Sequence, residues 1–260
     1  MLEPLARLGY ASKAVVYGIV GVFAVLAIAN RGGRITDTSG ALRVVLTQPF
    51  GRGLVLVLAI GLCGYAAWRL LDATVDPDRD GSSPKALVTR IGNAVRGLIY
   101  GALGMDALRL ARGLGGSSGD NAELVTARMF QFPFGEVAIG IAGAVTAAYG
   151  VSQVLQGITG AHDRKVDWSP IARRIRPAVQ RISRFGVAIR GGLIVTLGVY
   201  LVRAAWSQDP NDAAGPRESM LRLGGVFEGE WFLALIAAGV IAYAIDQAVH
   251  ARCRRIRPVV

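Results

Sequence analysis

Charged side chains lie inside long apolar segments of this 260-residue chain. Lys13, Arg96 and Arg190 occupy one shared slot near the start of three such segments. A charge at membrane depth is unfavourable, so it is typical of a binding site, a relay or an ion pair. Two interpretations stay open for this slot. The long side chains either snorkel to the interface beside their own helix starts, or they form a ring of three cations paired with acids from neighbouring helices.

Two further segments end in an acid on what the charge pattern predicts to be the same side of a membrane. Asp72 follows Arg69 by three residues, and Asp246 precedes His250 by four, so each pair can meet on a helix surface. Because intramembrane charges tend to pair, we expect one polar cluster at the cytoplasmic side. Its predicted members are Lys13, Arg69, Asp72, Arg96, Arg190, Asp246 and His250.

Asp106 and Arg109 form a second candidate pair, three residues apart in the outer half of the third apolar segment. The equivalent positions of the other segments do not repeat both charges, so the pair is peculiar to the middle of the chain. We interpret it as an intramembrane ion pair; a proton or ion relay is the alternative.

Residues for other chemistries are scarce. His162 and His250 are the two histidines of the chain, which argues against a haem held by paired histidines. Cys63 lies in an apolar segment and Cys253 near the C-terminus, so neither a disulfide nor a cysteine metal site is expected. The glycine-rich loop 113–120 lacks the lysine of a phosphate loop. The sequence therefore predicts no catalytic residue, no cofactor, no metal site and no enzyme activity.

Six apolar runs must position these side chains. Each is about 20 residues long, the length at which a helix crosses the hydrocarbon core of a bilayer. The first run is not interpreted as a cleaved signal peptide, because the same segment recurs inside the chain. The predicted spans are Tyr10–Asn30, Arg52–Ala73, Gly92–Arg112, Phe134–Gly157, Phe185–Trp206 and Trp231–Ala251.

The formal net charge of +11 is spread unevenly between the predicted spans. Most basic residues precede the first span, follow the last or lie in the second and fourth connections, which predicts cytoplasmic termini in a bacterial inner membrane. The excess indicates topology and contact with anionic lipid rather than nucleic-acid binding. The fourth connection is typical of a basic amphipathic segment kinked at Pro177. Its predicted lipid contacts are Arg173, Arg174, Arg176, Arg181 and Arg184.

One hairpin is repeated three times along the chain. The segments "LGYASKAVVYGIVG", "IGNAVRGLIYGALG" and "FGVAIRGGLIVTLG", which start at residues 8, 91 and 185, align without gaps. Tyr65, Tyr149 and Tyr243 align in the second helices. Parallel repeats of this kind predict an all-α membrane bundle of six helices with pseudo-threefold symmetry. The repeat units are 5–75, 88–160 and 182–254, with a basic linker at 161–184, in one membrane domain over 1–260.

Each outer connection is expected to contain a short helix that lies at the membrane surface. In the segment "TSGALRVVL", Ser39 is the predicted N-cap, and Leu42 and Val45 share one face. Glycines inside the spans, such as Gly97 and Gly101, predict close helix packing; flexible hinges for gating are the alternative.

The repeated motif resembles a known family. Its pattern of glycine, alanine, a basic residue and two more glycines is carried by Gly92, Ala94, Arg96, Gly97 and Gly104. The segment "GLCGYAAWRLLDA" at 61–73 is similar to the second-helix motif. Over nearly the whole chain, these features resemble the uncharacterised bacterial membrane proteins grouped as domain of unknown function 1206. The third copy departs most, since Ile194 replaces a tyrosine. The resemblance implies six spans and brings no established activity.

Three classes of function stay open. A scaffold or accessory subunit of a membrane complex fits the short loops and glycine-lined faces. A channel or transporter for an ion or small amphiphile fits the repeats and the charged cytoplasmic-side site. A membrane enzyme acting on lipid has almost no support. A core closed by Leu, Val and Phe would favour the scaffold, which we prefer, and a polar path would favour transport. The expected partners are anionic lipids and another membrane protein, not nucleic acid.

Overall fold

A computed structural model describes residues 2–29, 36–74, 84–114, 121–226 and 230–254. Nearly all of this part of the chain is helical, and its extended pairing is a single isolated bridge between Val166 and Arg254. The predicted all-α class is therefore confirmed. Asn30, residue 75 and most of the glycine-rich loop lie outside the described residues.

The helices follow the repeat, with a short helix between two long ones. The α-helices are α1 Leu2–Ile28, α2 Thr38–Leu46, α3 Gly51–Thr74, α4 Pro84–Ala111, α5 Asn121–Met129, α6 Gly135–Thr159, α7 Arg176–Ser207, α8 Pro216–Val226 and α9 Glu230–Cys253. Short 3₁₀ helices cover Ala161–Lys165 and Pro210–Asp212.

Five of the described helices, α1, α3, α6, α7 and α9, are long and apolar enough to cross a membrane. Helix α4 coincides with the third predicted span and has 28 residues, more than the roughly 20 that a bilayer requires. Its apolar surface is interrupted by Asn93, Arg96 and Asp106, and it is not one of those five helices. The chain thus has the apolar helices of a membrane protein.

Helix α7 begins at Arg176 and continues without a break to Ser207, so the basic segment forms its first turns. Pro177 lies in the first turn. There its missing N–H needs no partner and its fixed φ suits the helix. The predicted kink at Pro177 is therefore wrong.

The six long helices pack side by side in the order α4, α3, α1, α9, α7 and α6. A hydrogen bond of 2.7 Å from Arg96 Nε to Tyr149 Oη joins α4 to α6, at the two ends of this order. Arg7 of α1 contacts the carbonyl of Ala251 near the end of α9, and Arg90 of α4 contacts that of Ala73 near the end of α3. We name this end of the bundle, where α1, α4 and α7 begin, the basic end; it is the end predicted to be cytoplasmic.

Glycines make three equivalent close contacts between successive repeats. A Cβ on any of these glycines would lie 2.7 Å or less from its partner residue, so no larger residue fits without a shift. Each partner stands two residues before the aligned tyrosine of its repeat. The prediction that glycine permits close packing is confirmed at these positions. The pairs are Gly21 with Ile241, Gly104 with Cys63, and Gly198 with Ala147.

The middle hairpin differs from the other two. Gly9 packs against Tyr65 in the first hairpin, and Gly186 packs against Tyr243 in the third. A Cβ on the equivalent Gly92 would meet no heavy atom of another described segment within 4 Å. Helices α4 and α6 therefore stand apart at the level where α1 touches α3 and α7 touches α9.

The half of the bundle away from the basic end has an apolar interior. Leu42 and Val45 of α2 and Met220 of α8 are buried in it, so these short helices plug the bundle. The apolar face of α2 is turned into the core, and its place at the membrane surface stays a prediction. The other buried members include Val16, Val20, Val55, Leu58, Ala107, Ile236 and Val240.

Asp37 is the N-cap of α2, so the predicted N-cap at Ser39 is wrong. The Asp37 carboxylate accepts a hydrogen bond of 2.8 Å from the backbone N–H of Gly40. An aspartate in this position satisfies an otherwise unpaired N–H of the first turn.

Candidate functional site

Lys13 is enclosed by tyrosines at the basic end, with 3% of its surface exposed. Its ammonium lies 4.4 Å from the ring centres of Tyr65 and of Tyr100, and 3.4 Å from Tyr65 Oη. The negative face of an aromatic ring attracts a cation at this distance. The snorkelling interpretation therefore does not hold for Lys13, which points into the bundle and not toward an interface.

Arg69 is held by hydrogen bonds along its whole guanidinium and is 4% exposed. Its Nε donates to Tyr65 Oη at 2.9 Å, and its Nη2 donates to Tyr10 Oη at 3.0 Å. Its Nη1 donates to the Asp72 carboxylate at 2.9 Å. Asn93 donates to the same Asp72 oxygen at 2.9 Å. The predicted Arg69–Asp72 pair is therefore present, in the fully hydrogen-bonded form that a buried ion pair requires.

Arg96 and Arg190 also contact tyrosines. The Arg96 guanidinium lies 4.7 Å from the ring centre of Tyr149, and that of Arg190 lies 4.7 Å from the ring centre of Tyr243. With Lys13 on Tyr65, each cation of the shared slot thus lies against the aligned tyrosine of its own repeat. Sequence reasoning aligned these tyrosines but gave them no role. The cation-ring interpretation, one of the two that were open, gave acids as the partners of all three cations, whereas the structure gives tyrosines.

These residues form one connected group, which we name the tyrosine–cation cluster. Arg190 donates to Tyr17 Oη at 3.4 Å and to Tyr100 Oη at 3.3 Å, and those two hydroxyls are 3.1 Å apart. Lys13 contacts Tyr100 as well, so all three repeats meet here. The cluster consists of Lys13, Arg69, Arg96 and Arg190 with Asp72, Asn93 and the tyrosines 10, 17, 65, 100, 149 and 243.

The tyrosine–cation cluster carries more positive than negative charge. Four of its members are cations, and Asp72 is its one carboxylate. Phenol oxygens and ring faces supply the remaining stabilisation as dipoles and quadrupoles. Asn93 was not predicted from the sequence, although it stands three residues before Arg96. Its Oδ1 accepts a hydrogen bond of 3.4 Å from Arg96 Nη1. A polar residue one turn from the repeated basic slot is the signal that could have identified it.

Asp246 and His250 belong to a separate group at the same end. His162 Nε2 lies 3.0 Å from Asp246 Oδ1, and His250 Nδ1 lies 3.5 Å from the same oxygen. One ligand-type atom from each of the three residues lies within 4.8 Å of the others. We name them the histidine–aspartate cluster. Sequence reasoning missed His162 because it lies in the linker, 84 residues from Asp246.

Arg254 connects the two clusters. Its guanidinium lies 5.2 Å from the ring centre of Tyr10 and 4.7 Å from that of Trp68. Tyr10 also contacts the ring of His250, with 5.4 Å between centres. Burial lowers the pKa of Arg254, because the charged form loses its hydration.

The linker closes the basic end. Asp163 forms an ion pair of 2.6 Å with Arg184, and Arg176 donates to the carbonyl of Trp168 at 2.8 Å. Arg173, Arg174 and Arg181 are exposed. Of the five predicted lipid contacts, three are therefore available to a surface, and two are engaged with the protein. Contact with anionic lipid itself stays a prediction.

The intramembrane pair predicted in α4 lies away from both clusters. Asp106 is half-buried, and Arg109 is exposed one turn later. The ion pair between them stays a prediction.

Comparison with known proteins assigns the repeat to a family. The profile described as Domain of Unknown Function (DUF1206) matches three times, over residues 8–76, 91–160 and 185–254. The uncharacterized protein YxxB of Bacillus subtilis (strain 168) is 29% identical over 94% of this chain and 88% of its own length. No solved structure gives a significant match. With the profile covering most of its length in three consecutive copies, the chain belongs to the family described as Domain of Unknown Function 1206.

Proposed function

We propose that this protein spans the bacterial cell membrane six times, with both termini in the cytoplasm, and acts as a scaffold or accessory subunit of a membrane complex without catalysing a reaction. The observation that carries this role is the apolar interior of the half of the bundle that lies away from the basic end. Valines and leucines of α1, α3 and α9 meet the plug of α2 and α8 there. Such a core opposes passage of an ion, because a charge would have to cross it without polar partners.

The sixth span and the pseudo-threefold arrangement are supported by the glycine contacts. Gly21, Gly104 and Gly198 each face the same position of the preceding repeat, with α9 preceding α1 around the bundle. Helix α4 therefore lies against α3 as α1 lies against α9 and α7 against α6. A helix in this position shares the depth of its neighbours, which supports α4 as a span despite its polar residues.

The partner we propose is a transmembrane helix of another protein, bound at the open middle hairpin. Two hairpins are closed by a glycine against a tyrosine, whereas in the third a Cβ on Gly92 would meet no heavy atom within 4 Å in the described part of the chain. Leu98 and Ile99 of α4 are 66% and 59% exposed on the same helix. Ile99, seven residues after Gly92, lies on the same face, and a small residue with an exposed apolar neighbour suits the close approach of a helix within a bilayer.

The first experiment is purification in mild detergent from the native membrane, followed by mass spectrometry of what remains bound. The expected result is a protein partner in constant ratio to this chain. Gly92→Leu should reduce that ratio by filling the space beside α4. Gly192→Leu, on α7, is the matched control, because a Cβ there also meets no atom of the described segments within 4 Å. Recovery of the chain alone, or equal loss in both variants, would contradict the proposal.

Transport is the second candidate, and the excess positive charge of the tyrosine–cation cluster favours it. Four buried or half-buried cations with one carboxylate suit a site for an anion. The test is anion flux in proteoliposomes that contain the purified protein. Flux above that of protein-free vesicles, abolished by Arg190→Gln, would establish transport and overturn the scaffold. We expect no such flux, because an anion would have to cross the apolar interior of that half of the bundle without polar partners.

A further inference from the structure

Both histidines of the chain converge on one aspartate at the basic end. His162 comes from the 3₁₀ helix that follows α6, whereas Asp246 and His250 lie one turn apart on α9. The side chains of Asp246 and His250 are each 1% exposed, and that of His162 is 17% exposed. One ring nitrogen from each histidine and one carboxylate oxygen lie within 4.8 Å of one another.

The hydrogen bonds of His250 leave one nitrogen without a protein partner. Its Nδ1 lies 3.0 Å from the backbone carbonyl of Asp246, a contact that requires the proton on Nδ1. Its buried Nε2 then has a lone pair and makes no hydrogen bond in the described part of the chain. A metal-bound histidine is commonly held in this way, with the second nitrogen donating to a carbonyl.

The Asp246 carboxylate is oriented by a neighbour that leaves one oxygen available. Gln247 Nε2 donates to Asp246 Oδ2 at 2.8 Å. The other oxygen, Oδ1, lies 3.0 Å from His162 Nε2 and 3.5 Å from the protonated Nδ1 of His250, whose free Nε2 is on the far side of the same ring. The Gln247 side-chain oxygen is buried and has no hydrogen-bond partner among the described residues. Two orphan acceptors beside one carboxylate are unfavourable in a buried site unless a cation or donor meets them.

We propose that His162, Asp246 and His250 bind a divalent transition-metal ion, with Zn²⁺ as the ion of best fit. Two imidazoles and a carboxylate are a ligand set of protein zinc sites, in which a fourth position is filled by water or another ligand. Imidazole selects zinc and its neighbours over Mg²⁺ and Ca²⁺, which prefer oxygen alone. Binding replaces the proton between His162 and Asp246, and that proton leaves to solvent.

The metal would join the linker to the last helix. The linker already reaches α9 through the Val166–Arg254 bridge and a hydrogen bond of 2.6 Å from the Asp167 N–H to the Cys253 carbonyl. The Asp163–Arg184 ion pair ties the same turn to α7. A metal at the histidine–aspartate cluster therefore fixes the second and third repeats to each other. This inference does not depend on the proposed scaffold function.

The test uses the full chain in detergent with a streptavidin-binding tag, because a polyhistidine tag would itself bind metal. After treatment with chelator, the protein is titrated with Zn²⁺ in competition with a chromophoric chelator, and with Co²⁺ while its visible d–d absorption is recorded. We expect one Zn²⁺ per chain and the intense spectrum of a four-coordinate Co²⁺ site. His162→Gln, Asp246→Asn and His250→Gln should each weaken Zn²⁺ binding by about 100-fold or more, since even supporting residues contribute about 10- to 100-fold.

Asp37→Asn is the matched control, because it removes another buried carboxylate that lies outside the donor set, and asparagine can still act as the N-cap of α2. It should retain full stoichiometry. His162→Gln decides the test if the α9 variants do not fold, since His162 lies in the linker. A wild-type protein that binds no Zn²⁺, or a folded His162→Gln variant that binds as tightly as wild type, would overturn the proposal. In that case the three side chains form only a hydrogen-bonded tie between linker and helix.

Discussion

The first and third hairpins are closed, whereas the middle hairpin is open, although all three share one sequence pattern. In the closed hairpins a glycine lies directly against the tyrosine of the second helix, at Gly9 with Tyr65 and at Gly186 with Tyr243. In the middle hairpin, a Cβ on the equivalent Gly92 would meet no heavy atom of the described residues within 4 Å, and Arg96 Nε donates to Tyr149 Oη. The repeated motif therefore determines which residues can pair, whereas packing against the neighbouring helices determines how closely the two helices of a hairpin approach each other.

The largest difference in stability is expected between removal of Arg69 from the closed first hairpin and removal of Arg96 from the open middle hairpin. Arg69→Leu should lower the free energy of unfolding by about 3–5 kcal/mol, because it leaves the Asp72 carboxylate buried without its cation. Arg96→Leu should have a much smaller effect, since Arg96 is half-buried and has no carboxylate partner in the described hydrogen bonds. Denaturation in mixed micelles measures both. Equal losses would show that the middle hairpin is as tightly packed as the first.

A smaller effect with a change of sign is expected at the repeated glycine. Gly186→Ala places a Cβ against the backbone of Tyr243 and should destabilise by about 1–3 kcal/mol, as overpacking does. Gly92→Ala adds a methyl group to open space in a helix and should be neutral or stabilising by up to about 1 kcal/mol. Thermal unfolding of the two variants in one detergent compares them. Destabilisation by Gly92→Ala would mean that α4 and α6 also touch.

The smallest difference is expected between the aligned tyrosines. Tyr65 Oη accepts hydrogen bonds from both Arg69 and Lys13, so Tyr65→Phe leaves buried donors unpaired and should cost about 1–3 kcal/mol. Tyr149→Phe should cost less, about 1 kcal/mol, because it leaves only the buried Gln153 amide without its acceptor, whereas the half-buried Arg96 can turn to water. The same unfolding measurement applies. A larger loss for Tyr149→Phe would reverse the comparison and make the open hairpin the better-packed region.

The two halves of the bundle differ in how well the sequence anticipated them. The apolar half follows from burial of valine and leucine, and the differences there are the inward turn of α2 and its N-cap at Asp37 instead of Ser39. At the basic end, the Arg69–Asp72 pair was predicted from helical spacing and is present. The tyrosine partners were not predicted, because a phenol is equally common as a core residue and as a hydrogen-bonding group.

The sequence by itself determined the three repeats, the helical class and the position of a basic residue in each copy. Those features depend on the spacing of residues along the chain and on the length of its apolar segments, and both can be determined directly from the sequence. Only the tertiary structure decided that Lys13 lies among tyrosines from three repeats, that α4 and α6 stand apart, and that His162 meets Asp246. Contacts between distant segments depend on the three-dimensional packing of whole helices, and no spacing within one helix encodes them.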